Sequence, residues 1–145
     1  LEAHGFAVIT ADLDPQWDTH YPGLDVTSPK AGAIFSEMTF DAVITNPPFA
    51  IAPDVVRATL KWAPLVAHLL FVNWLEPTDN RADVVQIPGA AYVMQRCNLT
   101  DFSGQGGDPR APMWRIFDRA ALRVEVDFIT KHELQRHAGQ MALFG

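Results

Sequence analysis

The ten residues Phe40-Asp41-Ala42-Val43-Ile44-Thr45-Asn46-Pro47-Pro48-Phe49 decide how this chain is read. Residues 40–45 form a short apolar run rich in strand formers, the pattern of a strand buried on both faces. Two consecutive prolines can neither extend a ladder nor sit inside a helix, so the strand must stop at Asn46. Each proline also drives the residue before it into an extended conformation. Asn46, Pro47, Pro48 and Phe49 therefore make a stiff corner whose carbonyls turn away from the ladder.

Toward the C-terminus, Val55, Val56, Thr59, Leu60 and Ala63 recur at helical spacing. They predict a helix over 54–63 with Asp54 as cap and Pro64 as stop. Residues 65–72 then make the most hydrophobic strand candidate. Strand, helix and strand within so few residues argue for a right-handed crossover and a parallel sheet covered on both faces. Further strands are predicted at 90–96 and 113–117. Between them lies a polar stretch, 98–112, long enough to be a functional or mobile loop. Residues 122–129 alternate apolar and polar side chains, as a half-exposed edge strand does, and 132–141 read as a terminal helix.

Toward the N-terminus, residues 6–11 (Phe-Ala-Val-Ile-Thr-Ala) predict a buried strand that delivers Asp12 and Asp14 at its end. Residues 15–24 read as loop and 24–27 as a very short strand. Residues 1–4 read as the last turn of a helix stopped by Gly5, so the expectation is a domain truncated at its start.

The 145 residues suffice for one domain, with 48% hydrophobic and 19% charged side chains, a balance that excludes default disorder. The longest apolar stretch, 63–72, is broken by Pro64 and His68 and falls short of the roughly 18 residues of a membrane span. A single cysteine, Cys97, permits no internal disulfide and points to a reducing, cytoplasmic setting. Net charge is −6, so contact with nucleic acid must be local. The arginines at 96, 110, 115, 119 and 123 are the candidates for a shared cationic face. No metal is expected, because His132 and His137 stand five apart and no paired-cysteine or His-Glu-x-x-His pattern occurs. Cys97 lacks a base, His68 reads as a core histidine, and Trp17, Trp62, Trp74 and Trp114 read as packing residues, Trp74 also as a possible border of a pocket.

An Asn-Pro-Pro-Phe corner after a strand that opens with Asp41 resembles the catalytic motif of the methyltransferases that use S-adenosylmethionine, above all the adenine-N6 DNA methyltransferases. Downstream, 73–77 (Asn-Trp-Leu-Glu-Pro), 96–103 (Arg-Cys-Asn-Leu-Thr-Asp-Phe-Ser), 104–108 and 113–117 (Met-Trp-Arg-Ile-Phe) are similar to the tail of the small phage-type enzymes. The resemblance covers about residues 6–129. It implies an α/β, Rossmann-like class I methyltransferase sheet, mostly parallel with an antiparallel late strand. Residues 1–145 would then be a single partial domain that lacks the family's first strand and Gly-rich turn.

The resemblance also implies a chemistry. The Asn46 amide oxygen and the Pro47 carbonyl would accept the two hydrogens of an exocyclic amine, localising its lone pair for attack on a sulfonium methyl. Pro48 would stiffen the loop and Phe49 would stack on a flipped adenine of DNA. For S-adenosylmethionine, Asp12, with Asp14 as competitor, would hold the ribose, and Asp25 with Val26 would lie near the cofactor's adenine. Arg96 and Arg110 would meet the substrate phosphates. Two other readings stay open: a catalytically inactive remnant or binding module, and a methyltransferase acting on guanine N2 of RNA or on protein glutamine.

Overall fold

The computed structural model describes residues 1–94, 110–130 and 133. The chain is α/β, built on a five-stranded mixed sheet. A two-stranded parallel sheet comes first, β1 (Ala11–Asp12) beside β2 (Tyr21–Pro22), followed by α1 (Pro29–Ser36). The main sheet takes β3 (Ala42–Thr45), β4 (Leu65–Phe71), β5 (Gly89–Met94), β6 (Pro112–Asp118) and β7 (Val124–Ile129) in the order β3-β4-β6-β5-β7. Helix α2 (Ala52–Thr59) links β3 to β4, and the short α3 (Ala82–Val85) precedes β5. β3 is parallel to β4 and β5 to β7, while β6 pairs antiparallel with both β4 and β5. Four strands thus run one way and one late strand runs against them, the arrangement that the resemblance implies.

One face of this sheet forms the core. Val66 and Leu70 of β4, Met113 and Phe117 of β6 and Ala91 and Val93 of β5 pack against Ala52, Val56 and Leu60 of α2, with Trp74 and Val84 closing the end. The helical spacing read in the sequence is the buried stripe: Val55, Val56, Thr59, Leu60 and Ala63 are all buried. A satellite core of Leu24, Ala31 and Phe35 joins it through Phe40, which packs on both. Trp62 belongs to this satellite, 4.8 Å from the Phe35 ring.

Several expectations need correction. Residues 6–11 do not form a buried strand: only Ala11 enters one, and Phe6 and Ile9 are 61% and 46% exposed because no neighbouring strand covers them. Residues 24–27 are a turn rather than a strand, with Leu24 pinned in the satellite core. They lead into α1, capped by Ser28, whose hydroxyl accepts the Ala31 amide, and opened by Pro29. Asp54 does not cap α2; it lies in the first turn and pairs with Arg57, which also grips Asp83 and the Asn80 carbonyl and so ties α2 to the α3 region. The sheet is not covered on both faces, since Ile44, Leu65 and Tyr92 on the second face remain exposed. Trp17 is exposed, not packed, and Trp74 is core rather than pocket border. The predicted loop at 98–112 falls for the most part, and Cys97 and the helix at 132–141 almost wholly, outside the described residues. Among the described residues, no helix is long and apolar enough to cross a membrane.

Two basic side chains lie wholly inside the core, directly opposite each other on β4 and β6: His68 and Arg115. Arg115 has only neutral partners among the described residues: its guanidinium donates to the carbonyls of Ala90, Ile116, Ile87 and Val85 and lies 4.4 Å over the Phe117 ring. Burial pushes its pKa down to about 10, so it stays charged at neutral pH. His68 Nε2 meets the Thr59 hydroxyl at 3.2 Å while Nδ1 has no partner among the described residues. Desolvation lowers its pKa from the ordinary 6.5 to about 4. The unfolded chain therefore takes up this proton first as the pH falls. Stability should drop between pH 6.5 and pH 4 by about 3 kcal/mol and be insensitive to this group above pH 6.5. Urea unfolding across that range checks this, with His68→Leu expected to flatten the profile.

Gly89 opens β5 with φ 138, and a Cβ there would run into the Ile116 carbonyl of the adjoining strand. Gly89→Ala should cost about 1–3 kcal/mol by forcing β5 from β6, measured in the same urea titration.

Candidate functional site

The corner after β3 takes its form from the prolines. The β3 ladder ends at Thr45, opposite His68, and the chain turns through Asn46, which is exposed, and Pro47, which is buried. Pro48 is exposed at φ −56 and ψ 124, and its carbonyl accepts the Ile51 amide at 3.1 Å, closing a 3-10 turn over Phe49–Ile51 that runs on into α2. The Asn46 side chain has no hydrogen bond among the described residues, so its amide is not consumed by the turn that carries it.

β4 continues three residues past the end of the β3 pairing, which brings Phe71 beside the corner. The Phe49 and Phe71 rings lie 4.3 Å apart at 45°. Because β6 runs antiparallel, its start meets the end of β4: Pro112 stands opposite Phe71, and the Val72 amide donates to the Ala111 carbonyl at 2.9 Å. This delivers Arg110 to the same rim. Its guanidinium carbon lies 4.0 Å over the Phe71 ring and 5.9 Å over that of Phe49. Phe49 is 43% exposed, whereas Phe71 is buried. The rim thus joins an exposed amide, an aromatic surface and a cation at the carboxyl ends of parallel strands, where open α/β sheets take their ligands.

Of the residues singled out from the sequence, Asn46, Pro47, Pro48, Phe49 and Arg110 are brought together; Arg96 lies outside the described residues. Phe71 was not singled out. Its signal was available, as an aromatic near the end of the most hydrophobic strand, parallel and adjacent to the one that carries the corner.

Asp12, Asp14, Asp25 and Val26 form a second cluster, at the end of β1. The Leu24 amide donates to the Asp12 carbonyl at 2.9 Å, which sets Asp25 and Val26 next to the β1 end. Asp14 uses both carboxylate oxygens on Gln16. Asp12 engages one oxygen with the Asp14 amide and Asp25 one with the Thr27 hydroxyl and amide. The Thr27 bonds hold the Asp25 carboxyl below the usual carboxylate range. Asp12 and Asp25 thus keep an oxygen for a ligand, which fits a diol such as a ribose and favours Asp12 over Asp14. Nothing in the described chain supplies a Gly-rich turn for the amino-acid end of S-adenosylmethionine, so the residues present fit only its nucleoside half. No described hydrogen bond, ion pair or ring contact joins this cluster to the corner at 46–49.

Comparison with protein-family models, with curated proteins and with solved structures finds no match to this chain.

The difference in burial along the corner separates function from scaffold. Asn46→Ala should leave unfolding free energy within about 0.5 kcal/mol of the parent, as exposed substitutions do. Pro47→Ala should cost about 1 kcal/mol by loosening a buried, φ-restricted position. Both are measured by urea unfolding at pH 7.

Proposed function

We propose that this chain is a Rossmann-like class I methyltransferase domain that transfers a methyl group from S-adenosylmethionine to the exocyclic N6 amine of adenine in DNA. The observation that carries the reading is the exposed, unbonded Asn46 amide beside the half-exposed Phe49, at the carboxyl end of a strand parallel to its neighbour. The single reversed late strand, β6, supports the same fold class. When bound, S-adenosylmethionine supplies a methyl on a sulfonium that departs as a neutral thioether.

The chain's own residues do the rest. An exocyclic amine is a poor nucleophile because its lone pair is delocalised into the purine ring. The Asn46 amide oxygen and the Pro47 carbonyl accept its two hydrogens and favour a pyramidal nitrogen. The prolines hold these acceptors in place before the substrate arrives, which removes reorganisation from the reacting step. Phe49 stacks on the flipped base, and Arg110 draws the phosphate backbone to an otherwise acidic molecule. After methyl transfer the surplus proton leaves the amine for water. Asp12 and Asp25 take the cofactor's ribose and the surroundings of its adenine.

A second reading rests on a specific observation. Among the described residues β3 pairs only with β4, while residues 6–10 belong to no strand of either sheet. A sheet that lacks the family's first strand in this place would be an inactive remnant or a binding module.

Calorimetric titration with S-adenosylmethionine separates the two. Binding is expected if the nucleoside subsite suffices, and a folded chain that binds none favours the remnant. In a methyl-incorporation assay on adenine-containing DNA, Asn46→Ala should lower turnover by about 10²-fold or more with its fold intact. Retained turnover would overturn the role given to Asn46.

A further inference from the structure

We infer that Phe71 is a positioning residue that sets the substrate class of the rim: it holds the base platform Phe49 and the cation Arg110 side by side, so the site takes a nucleotide unit rather than a protein amide side chain. This rests on the reading of Phe49 as a stacking surface. Phe71 closes the second, less covered face of the sheet, where Leu65 at the other end of β4 is 38% exposed, yet Phe71 itself is only 5% exposed. Its described ring contacts are with Phe49, at 4.3 Å, and with the Arg110 guanidinium, at 4.0 Å. The guanidinium is nearer to Phe71 than to Phe49, at 5.9 Å, so of the two rings Phe71 is the one on which the cation packs. Phe71 is in turn fixed by the β4–β6 ladder, opposite Pro112.

A guanidinium laid over an aromatic face keeps donors in its own plane, the geometry that suits a phosphate. A flat apolar surface beside a planar cation matches a base and a phosphate of the same strand. A glutamine side chain is neither flat over an aromatic area nor anionic, and would use neither group.

The test is fluorescence anisotropy with a labelled, adenine-containing single-stranded oligonucleotide over a salt series, beside an abasic strand of equal length. Arg110→Ala should weaken binding and reduce the salt slope by about 0.7, the loss of one phosphate contact to a single strand. Phe71→Leu leaves Arg110 in place but removes its aromatic support. It should weaken binding by roughly two- to five-fold, lower the slope toward that of Arg110→Ala, and lower the slope no further when combined with it. Phe71→Tyr, which keeps the ring, should retain the parental slope, and Phe71→Met replaces Phe71→Leu if the latter fails to unfold cooperatively. A parental slope in Phe71→Leu or Phe71→Met, or additive losses of slope in the double variant, overturns the role of Phe71 while leaving the base platform standing. Equal binding of the abasic strand by the parent chain overturns the base platform and the inference with it.

Discussion

The antiparallel ladder between β4 and β6, seven residue pairs from Leu65 opposite Asp118 to Phe71 opposite Pro112, is the constraint on which the rest of the molecule depends. Its register decides what meets at each level. At one end it sets Pro112 against Phe71 and so brings Arg110 to the corner that β3 makes at its prolines. In the middle it sets Arg115 against His68, two groups that could each carry positive charge, inside a wall of apolar side chains. A slip of one residue would send His68 and Arg115 to opposite faces, and with them the core side chains Val66, Leu70, Met113 and Phe117.

That arrangement explains how the core accommodates a cation that has no counter-ion among the described residues. The two terminal nitrogens of Arg115 donate to backbone carbonyls of β5, β6 and the end of α3, so one side chain ties together three elements that also share the apolar core. Replacing a hydrated guanidinium by one held on carbonyl dipoles is tolerable only when several dipoles converge. His68, with a single hydroxyl partner, meets the same surroundings by staying neutral.

The sequence made the centre of this fold legible and its flank much less so. The helical spacing in 54–63 and the apolar run at 65–72 reported burial directly, because both elements lie against the core, although Leu65 and Val72 at the two ends of that run stay exposed. The corner at 46–49 was legible for a stronger reason: two prolines leave the backbone few options. Residues 6–11 misled, because an apolar run predicts burial only if something covers it, and here only Ala11 enters a strand while Phe6 and Ile9 stay exposed. Helix α1 escaped a reading by hydrophobic period, although Ser28 and Pro29 mark its start. Phe71 escaped because its role depends on two neighbours distant in sequence, which only the parallel step from β3 to β4 and the reversal of β6 bring to it.

The rim formed by Asn46, Pro47, Pro48, Phe49, Phe71 and Arg110 contains no group that gains or loses a proton anywhere near neutrality. A carboxamide, a peptide carbonyl, two phenyl rings and a guanidinium keep one charge state throughout the range in which the domain stays folded. Acid sensitivity of a ligand's hold on this surface does not arise from these six groups, and the scaffold beneath them is one source of it. The imidazole three residues upstream on β4 is the buried group placed to impose it, so a drop in occupancy under mild acid would be a symptom of a loosening interior rather than of altered chemistry at the surface.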